Sequence, residues 1–162
     1  MNDNVYLGNP NLKKANTPHE FTEEQVIEFI KCKNDPVYFA KKYIKIVSLD
    51  EGLTQFHPYD FQETLIKRFH ENRFNICKMP RQTGKSTTSV SYLLHYAVFN
   101  DSTNIGILAN KAATARDLLG RLQTAYENLP KWMQQGIISW NKGSLELENG
   151  SKILAASTSA SA

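Results

Sequence analysis

Cysteine is almost absent from this chain of 162 residues: Cys32 and Cys77 are the only two, far apart and without metal-ligand spacing. Two isolated thiols fit a reducing compartment, and as small apolar side chains both are expected in the interior. No apolar run is long enough to span a bilayer and no signal-peptide pattern opens the chain, so neither membrane insertion nor secretion is expected. Excess charge is lacking too. The 19 Lys and Arg against 16 Asp and Glu leave a net +3, which does not by itself announce a nucleic-acid binder. There is no internal repeat, which removes solenoid architectures. What is present is ordinary globular material: 41% hydrophobic residues in a length that can bury one real core.

Along the chain, residues 1–20 are polar, carry the pair Lys13-Lys14, and read as a flexible solvated arm. Thr22 with Gln25 fits a capping box and Phe21 with Val26 a hydrophobic staple, which together open a helix. Val26, Ile27, Phe29 and Ile30 give that helix an apolar face through about Lys33. Asp35 before Pro36 is an N-cap with proline at the first helical position, starting a second helix to about Tyr43. Ile44 to Leu49 and Leu53 to Phe56 flank Asp50-Glu51-Gly52 as a hairpin, closing a helical and hairpin segment over 21–57. Pro58 begins another helix, to about Asn72, with Phe61, Leu65, Ile66 and Phe69 on one face.

The chemistry concentrates in Met79-Pro80-Arg81-Gln82-Thr83-Gly84-Lys85-Ser86. A short apolar run, Phe74 to Met79, reads as a strand before it, and Lys85 to Phe99 reads as a helix after it. Strand, Gly-Lys-Ser loop and helix is the layout of a P-loop. Backbone N–H groups of the loop and the helix N-terminus face an anion, and the helix dipole adds positive potential. Gly84 allows close backbone approach, Lys85 reaches the β- and γ-phosphates, and the Ser86 hydroxyl ligates Mg²⁺. The glycine that usually opens the pattern is replaced by Met79. Gln62, one helix upstream beside Tyr59 and Phe61, has an amide able to read adenine, although taken alone it is a surface helix residue.

The alternation then continues. Asn104 to Ala109 is a short apolar run expected as a buried strand. Ala112 to Asn128 is a helix with Leu118, Leu119, Leu122 and Tyr126 inward and Arg116 and Arg121 solvated. Ile137 to Trp140, Leu145 to Glu148 and Lys152 to Ala156 read as strands, the last two joined by Asn149-Gly150, and the tail 157–162 has no cap or stop signal. The class is α/β, with residues 58–162 as part of a nucleotide-binding domain. A hydrolytic site also needs an aspartate at the end of a second apolar strand and a base to orient water. The candidate strands end instead in Ala109-Asn110 and Ala156-Ser157, and Glu146 and Glu148 alternate along one hairpin face toward solvent.

Taken in order, Gln62, Arg81 to Ser86, Ile107 to Lys111, Trp140 to Ser144 and Glu148 to Ser151 resemble the large terminase subunit of tailed bacteriophages, nearest the contractile-tailed group, from about Leu7 onward. Those terminases commonly lack the first P-loop glycine, so Met79 fits. The resemblance implies an additional-strand, RecA-like P-loop NTPase fold with an incomplete parallel-type sheet and flanking helices. It implies an ATPase that drives double-stranded DNA through a portal protein into a prohead, with a small terminase subunit as partner, in the host cytoplasm. Carried onto this chain, Gln62 with Tyr59 or Phe61 contacts adenine. Gln82, Thr83, Gly84, Lys85, Ser86 and Thr87 hold the phosphates of ATP and its Mg²⁺. Arg81 is then either a finger on the γ-phosphate or general electrostatic support. The acidic strand, the catalytic carboxylate and the nuclease domain of the family would lie beyond Ala162, so this part is expected to bind ATP without hydrolysing it. Two other readings stay open: a fragment of a helicase-type DNA translocase, and a non-enzymatic module that binds nucleotide or partners. In the family's sheet the strand before the P-loop and the next strand are not neighbours, so no ladder is expected between Phe74–Met79 and Asn104–Ala109.

Overall fold

The computed structural model describes residues 4–48 and 50–158. Residues 1–3 of the predicted arm, Leu49 of the predicted hairpin and the tail from 159 lie outside them. A short 3-10 turn, Tyr6–Gly8, is followed by helices α1 (Glu23–Asn34) and α2 (Pro36–Tyr43), strands β1 (Lys45–Ser48) and β2 (Gly52–Gln55), and helices α3 (Asp60–Glu71) and α4 (Lys85–Phe99). Strand β3 (Asn104–Ala109), helix α5 (Ala112–Glu127) and strands β4 (Ile137–Trp140), β5 (Ser144–Leu147) and β6 (Lys152–Ser157) complete the order.

Local chemistry explains the helix starts. The Thr22 side chain accepts from the Gln25 N–H at 3.2 Å and Gln25 Oε1 accepts from the Thr22 N–H at 3.2 Å, a complete capping box. Asp35 Oδ1 accepts from the N–H groups of Val37 and Tyr38 at 3.0 and 2.9 Å, with Pro36 at the first helical position. The staple is not formed as expected: Phe21 and Val26 are 47% and 44% exposed, and Phe21 instead meets the ring edges of His19 and Phe29. Ile27 and Ile30 are exposed as well, so the apolar contacts of α1 with the core come from Phe29 and Cys32, while Glu28 accepts from the Tyr38 and Tyr43 hydroxyls of α2.

The fold is α/β with a mixed sheet. Its four strands run in the order β3-β6-β5-β4, parallel between β3 and β6 and antiparallel across the other two pairs. The β5–β6 hairpin turns at Gly150, whose φ of 82° suits glycine. Glu148 falls in this turn, outside the strand expected for it. Strands β1 and β2 form a separate antiparallel pair. Helices α4 and α5 pack together and α5 lies against β3 and β6, burying Leu94, Val98, Leu119, Leu122, Tyr126, Leu145 and Ile153 in one core.

Three sequence expectations are corrected here. Residues 74–79 form no strand; they run without assigned secondary structure and are exposed, Phe74 at 83% and Ile76 at 100%. A strand of this kind persists only with ladder partners on its edges. The sheet of the described residues ends at β3, which pairs with β6 and makes no ladder with 74–79. Cys77 is accordingly exposed, while Cys32 is buried as expected. Next, β3 is not a buried strand: Ile107 is its one fully buried apolar residue and Leu108 is 64% exposed. Last, the predicted loose arm is docked over its described part. Leu12 is 2% exposed, Val5 bridges Lys13, and Lys14 bridges Ile137 of β4. The buried amide of Gln134 explains the docking, since it accepts from the Lys13 N–H and donates to the Asn11 carbonyl at 3.0 Å each.

Candidate functional site

The Gly-Lys-Ser loop crosses from the exposed segment into α4. Thr83 Oγ1 donates to the Pro80 carbonyl at 3.0 Å and closes the turn. Gln82 sits at φ 62°, and Gly84, the residue before the helix, sits at φ 75° and ψ 16°, both left-handed. Gly84 tolerates this without a Cβ penalty. No side chain caps α4. The first internal bond runs from the Thr88 N–H to the Gly84 carbonyl, which leaves the N–H groups of Lys85, Ser86 and Thr87 without acceptors among the described residues. Three free donors and the positive end of a 15-residue helix therefore meet at one point.

Around that point the predicted residues divide into two groups. Lys85 folds back, donating from Nζ to the Met79 carbonyl at 3.2 Å and to the Pro80 carbonyl. Arg81 and Ser86 are exposed and form no side-chain bond among the described residues. Gln62 lies behind the loop at 4% exposure, not on the surface. Its Oε1 accepts from the Tyr59 N–H at 2.9 Å, and its Nε2 donates to the Thr83 carbonyl at 3.2 Å. A Cβ on Gly84 would lie 2.3 Å from Gln62 Nε2, so the glycine and the glutamine interlock. Tyr59 and Phe61 stack on each other at 5.7 Å and stand 70% and 46% exposed, so Phe61 leaves the packed face predicted for it.

On the other side of the loop a cleft of about 780 Å³ opens between β1, α4 and α5. Gln82 and Thr87 belong to its wall, together with Lys45 and Arg121. Arg121 pairs with Asp117, also in the wall, at 3.0 Å across one exposed helical turn. Sequence reasoning left this cleft out. Its α5 wall takes the small residues Gly120, Thr124 and Ala125.

The acids of the β5–β6 hairpin are spent on structure. Glu146 pairs with Lys152 at 2.9 Å, and Glu148 accepts from the N–H groups of Gly136 and Asn16 at 2.7 and 2.8 Å. Strands β3 and β6 end in Ala109 and Ser157, with no carboxylate at either end. Among the described residues no three His, Cys, Asp or Glu side chains gather as a metal site. No helix of the described residues is long and apolar enough to cross a membrane.

The model of one protein family, described as terminase large subunit, T4likevirus-type, N-terminal, matches residues 76–162, more than half of the chain.

Proposed function

This chain belongs to the T4-like terminase large-subunit family, in its N-terminal part, and from that premise we propose that it is the ATP-binding portion of a motor that packages viral DNA. The observation that carries the reading is the uncapped start of α4, where three N–H groups without acceptors stand beside Lys85. Such a terminus is built for phosphate. Lys85, whose Nζ donates to the Met79 and Pro80 carbonyls, would be the cation that holds the phosphates. The exposed Ser86 hydroxyl and phosphate oxygens together would hold Mg²⁺, which suits an ion that keeps water and needs few protein ligands. Bound ATP supplies the phosphoryl group whose transfer powers movement. Arg81, exposed and unpaired on the same loop, places positive charge where that group would sit. Gln62 supports the loop from behind.

Membership in the family supports a role in DNA packaging. Double-stranded DNA, a portal protein and a small terminase subunit are the partners that go with that role, at the prohead in the host cytoplasm. Because no carboxylate stands at the ends of β3 and β6, these residues bind nucleotide and leave it intact. Calorimetric titration of ATP with Mg²⁺ into residues 1–162 and into Lys85→Ala tests the reading. Binding lost in the variant supports it, and equal affinity in both rejects it.

A further inference from the structure

We propose that the outer face of α1 is a self-association surface, on which α1 of a second copy of this chain docks antiparallel about a two-fold axis. Glu23, Val26, Ile30 and Lys33 follow the alternating three- and four-residue spacing that lines side chains up along one stripe of a helix. All four are exposed, and so is Ile27 at the edge of the stripe. The opposite side of α1 is the one that packs inward, through Phe29 and Cys32. The helix is therefore apolar on two sides, and among the described residues one of them is covered.

The charges at the ends of the stripe determine what fits it. Glu23 closes it at the N-terminal end and Lys33 at the C-terminal end, and neither forms an ion pair among the described residues. The neighbouring charges are engaged within the chain: Lys31 stands 3.8 Å over the Tyr38 ring, and Glu28 pairs with Lys42 at 2.8 Å. A matching helix must offer a cation, apolar residues and an anion in the reverse order. The stripe itself, run antiparallel, has that order. With two copies turned about the middle of α1, Val26 of one meets Ile30 of the other and Glu23 meets Lys33, each contact made twice. Parallel pairing would instead set Glu23 against its own copy and Lys33 against its own copy, so the charges select the antiparallel arrangement.

The length of the helix sets the strength of the contact. Twelve residues extend about 18 Å, which is short for a permanent interface. Association should be weak and reversible, with a dissociation constant on the order of 10–100 μM. Because the same patch is used on both copies, assembly stops at two. The other exposed apolar stretch, Phe74 and Ile76, lies between Arg73 and Lys78 and so presents charge of one sign to a second copy of itself.

Sedimentation equilibrium of residues 1–162 at low salt, over concentrations from about 5 to 500 μM, tests the proposal. The wild type should pass reversibly from monomer to dimer. Ile30→Glu should abolish the dimer and leave the melting temperature within about 1 °C, since the side chain is exposed. Glu23→Lys and Lys33→Glu each set like charges together at both ends of the pair, and each should weaken association about threefold or more. The double variant Glu23→Lys with Lys33→Glu should return to within about twofold of the wild type, and an equimolar mixture of the two single variants should pair as well as the wild type. Recovery in the double variant and in the mixture identifies the antiparallel two-fold contact, because a partner of any other kind would be lost in both. If Ile30→Glu lowers the melting temperature, the charge variants, at two exposed positions, decide alone. A monomer throughout the range, growth past the dimer, a double variant as weak as the singles, or a dimer that survives Ile30→Glu and is lost in Ile76→Lys overturns the assignment.

Discussion

Replacing Gly84 by alanine tests the interlock at the centre of the site. Two separate costs follow from the geometry. At φ 75° and ψ 16° an alanine occupies the left-handed region, which disfavours any L side chain by about 1–2 kcal/mol. The new Cβ also lies 2.3 Å from Gln62 Nε2, far inside contact distance, so the glutamine must leave. Its departure removes the cap on the Tyr59 N–H and the bond to the Thr83 carbonyl, each worth about 0.5–1.5 kcal/mol net. Gly84→Ala should therefore cost roughly 2–5 kcal/mol, combining those ranges. Gln62→Ala alone should cost about 1–3 kcal/mol through the two lost bonds. In the double variant the clash is gone and the bonds cannot be lost twice. Its cost should fall short of the sum of the singles by about 1–3 kcal/mol, within the coupling found between residues in contact. Urea unfolding followed by circular dichroism gives all three values. Additivity within about 0.5 kcal/mol would show that Gln62 does not rest on Gly84 and would remove the mechanical link between α3 and the loop.

Other outcomes follow from the same structure. Purified residues 1–162 should show no ATP turnover above background; turnover that Lys85→Ala abolishes would mean an acid among these residues is catalytic, with Asp117 in the cleft wall the first to replace. Burial holds the His95 imidazole down to about 4 from its usual 6.5, its Nε2–H donating to the Cys32 carbonyl while Nδ1 is buried without a partner. The unfolded chain takes up its proton near the usual value and the folded chain only near the lower one, so this part of the stability is whole above pH 7. It is lost as pH falls through that window, by up to about 1.4 kcal/mol per pH unit. Melting temperatures of His95→Leu should be flatter than those of the wild type between pH 6.5 and 4, and parallel curves would discard the argument. Ile76→Lys should raise solubility and leave the melting temperature within about 1 °C, since the native side chain is 100% exposed; a clear drop in melting temperature would place Ile76 in a packed core.

What the sequence made legible was whatever is decided within one turn of chain. The Thr22 box, the Asp35 cap and the span of α4 depend on neighbours three or four residues away, and all three were readable from the residues. What depended on distant partners was misread. Leu12 is buried because the Gln134 amide, far along the chain, fixes Asn11 and Lys13, and nothing in a polar arm shows that. Gln62, taken alone, reads as a surface helix residue, whereas it is 4% exposed with Tyr59 and Thr83 bonded to its two amide ends.

The segment 74–79 shows the same limit from the other direction. Its apolar pattern is that of a strand, and pattern alone cannot supply the ladder that makes one. The absence of a ladder to β3 was expected, and with no paired edge the N–H and C=O groups of the segment gain nothing from extension, so it forms no strand and Phe74 and Ile76 are left in water. That leaves the loop anchored on one side only. Downstream it is fixed by α4, whose Thr88, Leu94 and Ala97 are fully buried, and upstream it hangs from an exposed segment. Gln62 and Lys85 are the two ties that compensate, one gripping Thr83 from behind and the other Met79 and Pro80 from the front. An anion would draw the Lys85 ammonium toward itself and loosen the second tie, since two of its three N–H groups already serve carbonyls. The nucleotide-bound loop is therefore expected to depend more on Gln62 than the free loop does, and loss of that side chain should weaken phosphate binding.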